Sequence, residues 1–190
     1  MGVLETALLV LLGVSALYAV VTYNNLVSLK HNVAKAWANI EVLLKQRNDE
    51  LSKLMETCKQ YMQFERETLQ RVMEARAQSQ MAQAAGNLTA LGQAEGALWA
   101  ELGRLFAVAE AYPELKTNED FQHLQDRITQ LENSIIDRRN LYNESVNLNN
   151  VRIEQFPDAI IAGLFNFKPF ELLEFPNGER RDVDIKKRFA

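Results

Sequence analysis

The chain has 190 residues, is 47% hydrophobic and 24% charged, and carries a formal net charge of −4. That length suits one compact domain, or one domain with an anchor, and the apolar content is too high for a disordered chain. The acidic balance argues against nucleic acid as a partner, the single Cys58 excludes an intramolecular disulfide framework, and 4 Pro with 8 Gly argue against a many-stranded β fold.

The first element is a membrane span. Residues 6–29 hold no charged side chain, and Leu8, Leu9, Leu11, Leu12 and Leu17 lie in the apolar run. The run amounts to about 20 residues, roughly 30 Å as a helix, which is enough to cross a bilayer core. Tyr18 and Tyr23 fall near its C-terminal end, where amphipathic rings favour the interface. No basic residue precedes the run and no small-x-small cleavage site follows it, so it reads as an uncleaved anchor rather than a signal peptide. Lys30, Lys35, Lys45 and Arg47 come after it. The positive-inside rule then favours an external N-terminus and a cytoplasmic bundle.

Helices follow. No Gly or Pro occurs in the 72 residues from 14 to 85, which have high helix propensity throughout. Leu26, Leu29, Val33, Ala36, Trp37, Ile40, Leu43 and Leu44 recur in steps that place them on one stripe, resumed by Leu51, Leu54, Met55, Cys58, Tyr61, Met62, Leu69, Val72 and Met73. The stripe is expected to slip at Arg47-Asn48-Asp49-Glu50. The anchor and the first bundle helix read as continuous, and the first break is expected at Ala84-Ala85-Gly86-Asn87. A second helix should run to about Ala111. Its Gly92, Gly96 and Gly103, set among alanines, should let two helices approach closely; they match no phosphate-binding motif.

Tyr112-Pro113 ends that helix, and Asn118 is placed to cap the next. Phe121, Leu124, Ile128, Leu131, Ile135, Tyr142, Val146 and Ile153 then recur at helical spacing up to Phe156-Pro157. Short connections make neighbouring helices antiparallel. Residues 156–190 hold six of the nine phenylalanines. They read as a short amphipathic helix from 158 to 165 and an aromatic flap closing one end of the bundle, followed by a solvated tail. A region touching a membrane or another subunit is the alternative. The fold class is therefore all-α: an N-terminal transmembrane helix (1–25) running into an antiparallel bundle of long helices (26–157), with a short aromatic-rich C-terminal segment (158–190).

Little here points to chemistry. Asp120-x-x-His123 is half of a di-iron carboxylate signature, and the second half is missing. No catalytic nucleophile motif is present. Cys58 reads as a small core residue. No catalytic residue, metal ligand or cofactor is assigned. Polar residues on the apolar segments are more informative: Arg76, Glu110, Glu132, Arg138, Arg139 and Asn143, with Asn147, Asn149 and Asn150 nearby. They are expected to form a paired polar layer that fixes helix register, or else a partner-binding patch.

The sequence resembles the LemA family of bacterial membrane proteins from Tyr23 to about Phe175. The resemblance rests on Tyr23-Asn24-Asn25-Leu26-Val27 after the span and on Ala36-Trp37-Ala38-Asn39-Ile40. Further matches are Glu110-Ala111-Tyr112-Pro113-Glu114-Leu115-Lys116 with Asn118, then Glu132-Asn133, Arg138-Arg139, Tyr142-Asn143 and Phe156-Pro157. Ser52 stands where the family has a proline, which implies a straighter first helix, and the aromatic often found near Leu148 is missing. The resemblance implies an anchored helical bundle in the bacterial inner membrane and no settled activity. Relatives are linked to membrane organisation, including magnetosome-membrane biogenesis, and to envelope stress and proteolysis.

The expected function is a non-enzymatic scaffold that self-associates and organises membrane or envelope components. The alternative is an adaptor for a membrane protease or envelope-stress component. The expected partners are the lipid bilayer, further copies of the chain and a membrane protein, with no nucleic acid and no small-molecule substrate. Candidate interface residues are Glu110, Tyr112, Glu132, Arg138, Arg139, Tyr142 and Asn143.

Overall fold

The computed structural model describes residues 2–62 and 65–175. Six helices follow in order: α1 (Val3–Tyr61), α2 (Arg66–Ala84), α3 (Leu88–Ala109), α4 (Pro113–Lys116), α5 (Glu119–Glu154) and α6 (Asp158–Leu164). The described residues contain no strand. The anchor and the first bundle helix are one helix, as the run without Gly or Pro predicts. The first break comes earlier than expected, since α1 stops at Tyr61 and α2 starts at Arg66. No helix breaker marks that site; buried Met62 and Leu69 on either side join the same core, so tertiary packing overrides local propensity there. The expected break at residues 84–87 is also present. Gly86 takes a positive φ of 65° and the Asn87 side chain accepts from the Ala90 N–H at 2.9 Å.

The described residues form two compact units, residues 2–40 with 138–171, and residues 41–62 and 65–137 with 172–175. In the second unit α2 and α3 make a hairpin. Its core gathers Leu51, Leu54 and Cys58 of α1, Val72 of α2, Leu98, Leu102 and Leu105 of α3, and Phe121 and Ile128 of α5. Asn118 Oδ1 accepts from the Phe121 N–H at 2.9 Å, so the predicted cap of α5 holds. Gly92 serves a different neighbour from the one expected. A Cβ there would lie 1.8 Å from the backbone oxygen of Glu174, so the glycine admits the C-terminal segment rather than another helix, while Gly103 faces open space.

In the first unit Leu26, Ile153 and Ala162 form a smaller core, with Ile161 and Phe167 packed against it. An 18-residue apolar stretch of α1 is long and apolar enough to cross a membrane, and none of it is buried. The aromatic segment fills a core only in part, through Phe167 against Leu26, Ile153 and Ala162. Phe156 and Phe165 are exposed and Phe167, Phe170 and Phe175 are half-buried, whereas Asp158 at the start of α6 is buried. Phe189 and the solvated tail expected from the sequence lie outside the described residues.

Candidate functional site

The second unit contains a closed polar layer. Arg47 occupies a core position of α1, three residues after Leu44 and four before Leu51, and is fully buried. The stripe therefore does not slip there; one of its positions is charged. Glu95 interrupts the α3 stripe in the same way between Leu91 and Leu98. The guanidinium donates to both Glu95 oxygens, at 2.5 and 2.8 Å, and to Glu132 Oε1 at 3.1 Å. The Ser79 hydroxyl of α2 donates to Glu95. Four helices thus converge on one ion pair. Burial alone would lower the arginine pKa, but the hydrogen bonds and charges of Glu95 and then Glu132 outweigh it and hold the group above its ordinary value. Arg47 and Glu95 expose 1% and 3% of their side chains, so the pair is shielded from solvent.

The first unit contains a polar knot where the apolar part of α1 ends. Asp158, 2% exposed, accepts from the Tyr18 hydroxyl and pairs with Arg152 of α5; the Thr22 hydroxyl donates to it at 3.3 Å. The knot fixes the start of α6 and the end of α5 against α1. Beyond α6 the chain is clamped to α5. The Asn150 amide donates to the Phe170 carbonyl at 2.9 Å and accepts from the Phe170 N–H at 3.0 Å, as a paired strand would. The Tyr142 hydroxyl donates to the Glu171 carbonyl at 3.0 Å, and its ring packs on Trp37 with centroids 5.7 Å apart. Burial, then the Glu171 charge, pushes the Tyr142 phenol up. Between this clamped segment and α1 lies a cavity of about 550 Å³.

The structure does not gather the sequence-predicted residues into one layer. Glu110, the residue just past the end of α3, is exposed, and so is Arg138, which falls between the inward-facing Ile135 and Tyr142 of α5. Glu132, Arg139 and Asn143 are half-buried, and of these Glu132 reaches the Arg47 layer. Tyr112 is half-buried and its hydroxyl donates to Glu65 at 3.3 Å; desolvation, then that carboxylate, pushes its pKa up. Tyr142 belongs to the clamp. The residues that sequence reasoning missed are Arg47, Glu95 and Asp158; Asn150, named among the polar residues of α5, pairs with the Phe170 backbone. For the first two a signal existed, a lone charge at an i, i+3/i+4 position within an otherwise apolar stripe. His31 and His123 are exposed, and Cys58 is buried as expected. Among the described residues no cluster of His, Cys, Asp and Glu could hold a metal ion.

The profile of the LemA family matches residues 36–186. Two magnetosome proteins of Paramagnetospirillum magneticum, MamQ 1 and MamQ 2, are each 33% identical to this chain over 95 residues, 50% of it and 35% of the relative. Magnetosome protein MamQ of Magnetospirillum gryphiswaldense is 32% identical over 91 residues, 47% of this chain and 34% of its own. The chain thus spans about a third of the length of the curated relatives it matches. The one helix among the described residues that is long and apolar enough to span a bilayer, with these likenesses, fits a single-pass membrane protein.

Proposed function

Given that the chain belongs to the LemA family, we propose that it is a membrane-anchored, non-enzymatic helical scaffold that self-associates and organises membrane or envelope components. One observation carries the reading. Leu141, Leu148 and Val151 of α5 are 47%, 55% and 53% exposed, and steps of seven and three place them on one face. This unpartnered apolar row belongs to the same unit as the span, and anchoring would bring copies together in one bilayer with such rows at a common height. Exposed apolar area of this kind marks interfaces. The closed Arg47–Glu95 layer supports a non-enzymatic role, because the most strongly interacting charges are spent on register. That the relatives are named magnetosome proteins supports a task tied to membrane organisation. Lys30 and Lys35 after the span support an inner-membrane orientation with the bundle in the cytoplasm.

Light scattering of the full chain in detergent tests self-association. The protein mass should be a multiple of 21.7 kDa, and Leu148→Glu should reduce it to one copy. A single copy of the unaltered chain at every concentration would overturn the reading.

A further inference from the structure

The cavity in the first unit combines features that point to one ligand class. Its walls include the rings of Tyr23, Phe167 and Phe170, and its basic groups are Lys30, His31 and Lys168, with no carboxylate among the lining residues. Asp158, the nearest buried acid in this unit, is occupied by Tyr18, Thr22 and Arg152. Tyr23 and Lys30 are seven residues apart on α1, about 10 Å along its axis. Ring and ammonium therefore straddle the end of the uncharged run, the depth at which acyl chains give way to headgroups. The same unit turns apolar side chains outward beside this level. Phe156, Ile160, Leu164 and Phe165 are 79%, 56%, 74% and 58% exposed, on or next to α6, whose first residue is held by Tyr18. The Tyr23 ring packs on Phe165 with centroids 4.7 Å apart, so the apolar surface continues into the cavity wall.

We propose that this cavity is a binding site for the phosphodiester headgroup of an anionic phospholipid, with α6 and Phe156 lying among the acyl chains beside it. Lys30 and Lys168 pair with the phosphate, His31 donates to it, and the rings cover the glycerol end. Clamping of the loop by Asn150 keeps Lys168 in place opposite Lys30. The proposal rests on membrane anchoring and not on self-association, so either can fail without the other.

The test is native mass spectrometry of the full chain released from detergent after titration with phosphatidylglycerol, phosphatidylcholine or inorganic phosphate. One phosphatidylglycerol should be retained, in preference to phosphatidylcholine. The double variant K30A/K168A should lose about thirtyfold in that affinity, the scale expected for two basic groups at an anionic headgroup. A control with the same charge loss elsewhere, K53A/K116A, should keep it. Circular dichroism should show both variants folded, since all four lysines are exposed or half-buried. Equal retention of the two lipids, or an unchanged K30A/K168A, would overturn the proposal. Displacement of phosphatidylglycerol by millimolar phosphate would also overturn it, by assigning the site to a free anion.

Discussion

Arg47 and Glu95, 48 residues apart in sequence, face each other through two hydrogen bonds where neither reaches water. Such a pair is weakly stabilising as a whole and strongly destabilising when half of it is removed. Arg47→Ala should therefore cost about 3–5 kcal/mol in a urea titration of the full chain, because Glu95 is left charged and unpaired. Replacing the set with R47M/E95L/E132L should recover most of that loss. If the single and triple variants are equally unstable, the layer does not act as a unit.

Gly92 and Gly103 lie on the same helix with opposite surroundings. Alanine raises helix propensity by about 1 kcal/mol at both, yet at Gly92 the added carbon would strike Glu174 backbone. Gly103→Ala should raise the midpoint of unfolding. Gly92→Ala should displace residues 172–175 and open the chain to protease near them. Limited proteolysis followed by mass spectrometry distinguishes the two; equal resistance in both variants would contradict the close approach.

These sites differ in how far the sequence discloses them. The span, the continuity of α1, the Asn118 cap and the end of α5 are local events, set by charge-free length, propensity and capping chemistry. The stop at Tyr61 is not local: the core of the second unit imposes it on a segment with no breaker. Arg47 and Glu95 were legible as lone charges on apolar stripes, but their pairing depends on the α3 fold-back. Asp158 carried no signal, since an aspartate at a helix start is ordinarily exposed and its partners Tyr18 and Thr22 lie in the first unit through long-range packing.

Alkaline stability should follow the buried acids. Desolvation pushes the Cys58 thiol from 9.0 up to about 12, and the Tyr112 and Tyr142 phenols lie above 10.0. In each case the unfolded chain ionises first. Their contribution is thus complete below pH 9 and is lost as the pH climbs from 9 towards 12. Thermal scans should show this decline, and Cys58→Ala should flatten its early part. The native thiol should also resist disulfide reagents at pH 8 until the chain unfolds; rapid labelling of folded protein would contradict its burial.

The Asp158 knot should govern α6. Asp158→Ala leaves Arg152 without its buried partner and should speed hydrogen exchange across α6 more than Tyr18→Phe, which removes one hydrogen bond worth about 1 kcal/mol. Equal exchange in the two variants would mean that the helix is held by Leu26, Ile153 and Ala162 alone.

The central proposal is that copies of this chain, anchored in one bilayer by α1, meet through the Leu141, Leu148 and Val151 row of α5. Oxidative cross-linking of Leu148→Cys in a Cys58→Ala background, performed in native membranes, tests it most directly. The account predicts a covalent dimer at Leu148→Cys and none at Gln130→Cys, an exposed position on the same helix outside the row. Monomer alone at Leu148→Cys, under oxidation that is complete for a control disulfide, would contradict it.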